Sequence, residues 1–215
     1  MTDSLTTLIT KVQALLLDSG TLFSTATCTA ALRQALQDFN DRAPIIATTL
    51  ITGVDARLEY ELTSEADATL ALAMLGLYLQ GANEADTVLT YDVYSNDERI
   101  FFRLRSPVSS VDIMIAHFTI AHTINGLDGS VESTPLAKDD QVLVAGGCMH
   151  ACIVRAVARV EGNNLDNASS DNYRELARHF QRLFERGLAR AAARSAPVAE
   201  RDTRAWQDGY HRWPA

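Results

Sequence analysis

The chain has 215 residues, of which 47% are apolar and 21% charged, and its formal net charge is −8. That length suits one generous domain or a domain carrying an insertion, and the acidic balance argues against general coating of nucleic acid. No run approaches the ~20 uninterrupted apolar residues of a membrane span.

The N-terminus, MTDSLTTLITKVQALLLDSG, lacks a basic region followed by a small-residue cleavage site, so it is not read as a secretion signal. Leu5, Leu8, Ile9, Val12, Leu15 and Leu16 instead recur at steps of three and four, which predicts an amphipathic helix over 4–18 with a stop at Asp18-Ser19-Gly20. Ser24 is a plausible N-cap for a second helix, whose face is Cys28, Ala31, Leu32, Ala35, Leu36 and Phe39 and which Pro44 closes.

Between 45 and 124 the period shortens. Ile46–Leu62, Leu70–Leu79, Thr87–Tyr94, Arg99–Arg105 and Val111–Ile124 read as five short strands, with Ser95-Asn96-Asp97-Glu98 as a hairpin turn. Together they predict a compact antiparallel sheet or small barrel. Helix resumes after Pro135. Residues 138–161 are apolar almost all round from Val142 to Val154, as in a buried central helix, and Gly146-Gly147 suits a close helix crossing. Gly162-Asn163-Asn164 reads as its stop, and Ser169, Ser170 and Asp171 as caps for a last long helix.

That last helix carries Arg174, Arg178, Arg182, Arg186, Arg190 and Arg194 at strict four-residue spacing. At about 100° per residue, with Tyr173 at zero, Tyr173, Leu176, Ala177, Phe180, Leu183, Phe184, Leu188 and Ala191 fall between about −80° and +60°. Arg174 through Arg190 lie on the opposite face, and only Arg194 drifts back toward the apolar edge. Such a run is most simply a solvated face. It also suits an acidic partner or phosphate, because guanidinium pairs bidentately with both. Lipid binding fits less well, since the apolar face is needed to hold the helix to its domain. The tail that follows, RDTRAWQDGYHRWPA, is too short for a core of its own. Trp206, Tyr210 and Trp213 stand there among arginines, the residue types that anchor interfaces.

Catalytic signatures are missing. The sequence holds no G-x-S-x-G, P-loop, H-E-x-x-H or dinucleotide-binding glycine pattern. His117 and His122, five apart on one expected strand, point to opposite faces and make a poor metal pair. Cys148 and Cys152 share a helix face without further ligands, and structural zinc wants four. With Cys28 they make an odd number of cysteines, which argues for packing roles in a reducing compartment rather than disulfides. Asp139-Asp140 sits where it would complement a helix dipole. Neither a metal nor a cofactor is expected, and no enzyme activity.

The order is two helices, a β insertion, two longer helices and a tail. With FSTATCTAALRQALQDFNDRAP at 23–44, HTINGLDGSVESTPLAKDDQVLVAGG at 122–147 and NYRELARHFQRLFERGL at 172–188, it resembles the head–tail connector (neck or adaptor) proteins of tailed bacteriophages. The resemblance implies an α+β fold: an antiparallel helical bundle (1–44 and 125–195), an inserted small antiparallel β-sheet or barrel (45–124) and an extended C-terminal tail (196–215). It implies a structural virion protein of the neck, assembled in the host cytoplasm as a dodecameric ring. Such a ring docks on the portal protein, receives the tail or a tail-completion protein, and extends a channel through which DNA passes without specific binding. By position, Arg178, Arg182, Arg186, Arg190, Arg201, Arg204, Trp206, Tyr210 and Trp213 would contact the portal. Two other readings compete: a regulator that binds nucleic acid through the basic helix, and a small hydrolase using His117 or His122.

Overall fold

The computed structural model describes residues 3–18, 20–64, 71–80, 87–97, 99–161 and 167–195. The chain divides into a helical unit, built from residues up to Ala43 and again from His122 onward, and a β unit, Pro44–Ala121. Among the described residues the α-helices are α1 (Leu5–Leu15), α2 (Thr25–Arg42), α3 (Asp140–Glu161) and α4 (Asn167–Ser195).

Each of the first two helices starts on a serine. Ser4 Oγ accepts the Thr7 N–H at 3.5 Å and Ser24 Oγ the Thr27 N–H at 3.2 Å, each satisfying one of the donors a helix start leaves unpaired. The apolar faces expected from the spacing then meet in one core: Leu8 and Val12 from α1, Leu32 and Phe39 from α2, Leu143 and Ala151 from α3, Phe184 and Leu188 from α4. Two glycines set how closely α3 and α4 pack. A Cβ on Gly146 would lie 2.8 Å from both the Ala35 methyl and the Phe184 ring, and one on Gly187 would lie 2.5 Å from Val142. Contacts that short require the side chain to be missing.

The segment Ala137–Ala158 is long and apolar enough to cross a membrane, with a mean hydropathy of 1.5 in its most apolar window, but 56% of that window is buried within the protein. It is the central core helix, although its later turns are less enclosed than the sequence suggested: Ile153, Val154 and Val157 are exposed. A second correction concerns the start of α4. The helix opens at Asn167, so Ser169, Ser170 and Asp171 lie inside its first turns instead of capping it. Buried Ser170 donates its hydroxyl to the Ala156 carbonyl of α3 at 3.4 Å, and Asp171 pairs with Arg174. The expected stop at 162–164 lies outside the described residues.

Asp18 ties α1 to α2. Its carboxylate accepts the N–H groups of Leu22 and Phe23 and the Thr21 hydroxyl, while Gln13 Nε2 donates to the Phe23 carbonyl. Burial pushes the Asp18 carboxyl up, but the donors from Phe23, Leu22, Thr21 and Gly20 outweigh it and hold the pKa at about 2, below the ordinary 3.8. A carboxylate lowered on folding stabilises the native state above its unfolded pKa, and that contribution fades as pH falls from 3.8 towards 2. Asp3, held down by Lys11, and Asp128, held down by Arg33, act in the same sense. Asp140, raised by burial and by Asp3, acts in the opposite sense. Asp18→Asn should therefore flatten the fall in melting temperature between pH 4 and 2, as read by thermal melts across that range. A profile as steep as that of the parent chain would mean that Asp18 is not held this way.

The β unit differs from the expected single sheet or barrel. Among the described residues its seven strands form two antiparallel sheets: β1 (Ile45–Thr52), β7 (Ile113–Ile120), β3 (Ala71–Leu79) and β4 (Thr87–Val88) in that order, and β2 (Glu59–Glu61), β6 (Arg99–Leu104) and β5 (Tyr91–Asn96). Two of the expected runs each split in two. Ile46–Leu62 breaks after Thr52 and passes through residues 53–58 before β2, and Thr87–Tyr94 breaks between β4 and β5. The reading of Leu75–Leu79 as strand agrees with β3. One core joins both sheets: Leu77, Met114 and Phe118 from the first pack with Phe102 and Leu104 from the second and with Leu62 just past β2, and Tyr60 stacks on Phe102 at 5.4 Å.

The β unit leaves and rejoins the helical unit at neighbouring points. Ile45 at the start of β1 pairs with Ile120 at the end of β7. Within the helical unit, Asn40 Oδ1 accepts the His122 N–H at 2.7 Å and Asn40 Nδ2 donates to the His122 carbonyl at 3.3 Å.

Candidate partner-docking surface

The arginine ladder is sorted by its neighbours. Ala177, Phe180, Phe184, Leu188 and Ala191 of α4 are buried, and Tyr173 and Leu176 are partly so, as the helical projection requires; Leu183 alone of that face is exposed, at 45%. With the apolar face held by the core, the opposite face is fixed outward. Arg178, Arg182, Arg186 and Arg190 all lie exposed along it. Successive members are about 6 Å apart along the axis, so the four span about 18 Å. Among the described residues none of the four forms an ion pair; Arg182 Nε merely donates to the Arg178 carbonyl at 3.4 Å. Glu185, the acidic exception, accepts from Gln181 at 2.8 Å.

The two ends of the ladder behave differently. Arg174 pairs with Asp171 at 3.3 Å, an exposed contact worth little. Arg194, the member that drifts toward the apolar edge, reaches Asp139, whose side chain is only 5% exposed. Asp139 and Asp140 stand in first helical turns, where negative charge complements the dipole as expected, and Asp139 also anchors the end of α4 through this pair with Arg194. The drift of Arg194 was the sequence signal for that pair, and only the fold supplies its acid. Arg201, Arg204, Trp206, Tyr210 and Trp213 lie outside the described residues.

Beside the ladder, α2, α3 and α4 enclose a groove of about 290 Å³. Its floor is Met149, Phe184 and Leu188, and Asp38, Asp41 and Glu185 stand around it, with Arg42 and Gln181. His150 Nε2 lies 2.9 Å from Asp38 Oδ2, which holds that carboxylate in place. Sequence reasoning did not find this groove, because its walls come from segments more than a hundred residues apart.

The other candidate residues are structural. Cys28, Cys148 and Cys152 are free and buried in the helical core. Burial pushes the Cys148 and Cys152 thiols up to about 12 and raises Cys28, so all three stay protonated and behave as packing groups. His122 is not on the strand with His117. It lies past the end of β7, packs edge-on against Phe39 at 5.1 Å, and donates Nε2–H to the Ala43 carbonyl at 3.0 Å. Burial lowers its pKa, so it is held neutral. His117 stays on β7, against Tyr78 and the Thr48 hydroxyl. Among the described residues no three His, Cys, Asp or Glu side chains gather as a metal site.

The formal charge is divided unevenly. The β unit carries eleven carboxylates against four arginines, net −7, which leaves −1 for the rest of the chain. The ladder is therefore a local cationic stripe on a nearly neutral unit.

No family model and no curated protein matches the chain. Among solved structures, one described as "Neck of empty GTA particle computed with C6 symmetry" is similar to it at 13% sequence identity and a TM-score of 0.29, the overlap covering 70% of this chain and 79% of that one.

Proposed function

We propose that the protein is a structural component of a tailed-phage neck, a connector that assembles as a ring on a portal and continues the DNA channel toward the tail. The observation that carries this reading is the face of α4: four exposed arginines that form no ion pair among the described residues, on a helix whose other face is locked into the core. A stripe of that kind is a preorganised surface, since the side chains that align it are already ordered before a partner arrives. Guanidinium groups at this spacing suit a carboxylate-bearing protein surface. The sequence resemblance to head–tail connectors supplies the partner: an acidic surface of the portal, met by Arg178, Arg182, Arg186 and Arg190 together with Arg201, Arg204, Trp206, Tyr210 and Trp213.

Duplex DNA is the poorer occupant for the same stripe. The β unit brings net −7 to the molecule, which repels phosphate, and a conduit for DNA works best when it does not hold it. Native mass spectrometry and electron microscopy of the full chain mixed with portal rings test the proposal. The expected result is a closed ring of one subunit number seated on the portal. A chain that stays monomeric beside the portal, with the protease protection of its last twenty residues unchanged by the portal, overturns it.

A further inference from the structure

We propose that the groove between α2, α3 and α4 is the seat of this chain's own C-terminal segment, Arg201–Trp213, in the free subunit. The inference goes beyond the ring reading and does not need it. The groove pairs an apolar floor with a rim on which Asp41 and Glu185 are exposed carboxylates, Asp38 is steadied by His150, and Arg42 stands beside them, leaving the rim net −2. Segment 201–213 offers Arg201, Arg204 and Arg212 against Asp202 and Asp208, a net +1, interleaved with the aromatic side chains of Trp206, Tyr210 and Trp213. The volume, about 290 Å³, is at the small end for a ligand site and suits one large side chain rather than a free metabolite. Trp206 is the anchor that fits this description, with Arg204 beside it to meet the rim.

Reach selects the occupant. The helix that forms one wall, α4, from Gln181 to Leu188, is the same helix that runs on to Ser195 and hands over to the segment. Ser195 lies about 10 Å along the axis from Leu188 and about 21 Å from Gln181. The step from Ser195 to Arg201 spans up to about 20 Å when extended, so the tether can fold back over the length of the wall. A tether that short holds its segment at millimolar effective concentration, which favours the same copy over a second one or a separate partner.

The chain has two tryptophans, Trp206 and Trp213, both in this segment, so selectively excited tryptophan fluorescence reads the segment. Full-length protein carrying Trp213→Phe isolates Trp206. The expected result is a blue-shifted emission with protection from acrylamide that is the same at all protein concentrations. Asp41→Lys or Glu185→Lys should move both readouts toward free indole, the docked-to-free ratio falling roughly fivefold for each reversal. Both positions are exposed, so the fold should survive, as far-ultraviolet circular dichroism would verify. Solvent-like emission in the parent protein, or protection that neither reversal changes, overturns the proposal. So does protection that grows with protein concentration, which would assign the groove to a second copy's segment. Protection that appears only with portal rings would assign the segment to the portal and equally overturn it.

Discussion

Phe184→Ala should lower the stability of the helical unit by about 3–5 kcal/mol, the range for deleting a buried phenylalanine side chain. Total stabilities run at about 5–15 kcal/mol, so the loss would be a large share of the whole. Phe184 is 2% exposed and sits at the α3–α4 crossing, where the missing side chain of Gly146 makes room for its ring. Neither Gly146, which has no side chain, nor the Ala35 methyl can swing in to fill the void, because both are fixed to helix backbones. Most of the cavity should therefore persist. Urea unfolding followed by circular dichroism measures the change, and Phe184→Leu should lose markedly less. A loss under about 1 kcal/mol for the alanine variant would mean that α4 is not anchored as described. The same variant links packing to function, since a looser α4 no longer holds its outer face in one orientation.

Reversing Arg178, Arg182, Arg186 and Arg190 to glutamate should abolish binding to portal rings while leaving the fold intact. Surface substitutions of this kind usually change stability by under about 0.5 kcal/mol each, and none of the four is needed by the core. At an interface the same groups weigh far more. Truncating one member of a buried, hydrogen-bonded charge pair costs about 2–5 kcal/mol, so the fourfold alanine variant should already weaken binding by at least about a hundredfold. Fourfold lysine substitution should recover only part of it, because an ammonium cannot make the bidentate pair. Titration by light scattering or biolayer interferometry at two salt concentrations checks both points, with binding weaker at the higher one. Unchanged portal binding with loss of duplex DNA binding would overturn the docking proposal and favour the nucleic-acid reading.

Much of the helical unit was legible in the chain. The three-and-four spacing of α1 and α2, and the serines ahead of them, are local signals that the core then uses directly. For α4 the projection anticipated most of the side chains that pack on the core, all of the named face but Leu183, because a long helix offers many repeats of one period. The β unit was harder. Strands such as β2 and β4 are too short to show alternation, and the division into two sheets depends on which strand pairs with which, a long-range matter that composition does not carry. The site was legible in part for the same reason. Arg178 through Arg190 announce themselves by spacing alone. The Asp139–Arg194 pair and the groove do not, because their members lie 55 residues apart in the one case and more than a hundred in the other.

The clamp of Asn40 on the His122 backbone gives this architecture an economy of its own. The chain departs for the β unit and comes back within reach of a single side chain, so the gap that unit bridges in the helical scaffold is hardly wider than a tight turn. Everything from Pro44 to Ala121 is in that sense a graft on one bend. A lineage can lengthen, trade or discard such a graft in one genetic event without moving α1 to α4. Chains that keep the same helical chassis are thus free to carry very different inserted modules, and the module is where fast divergence should be sought.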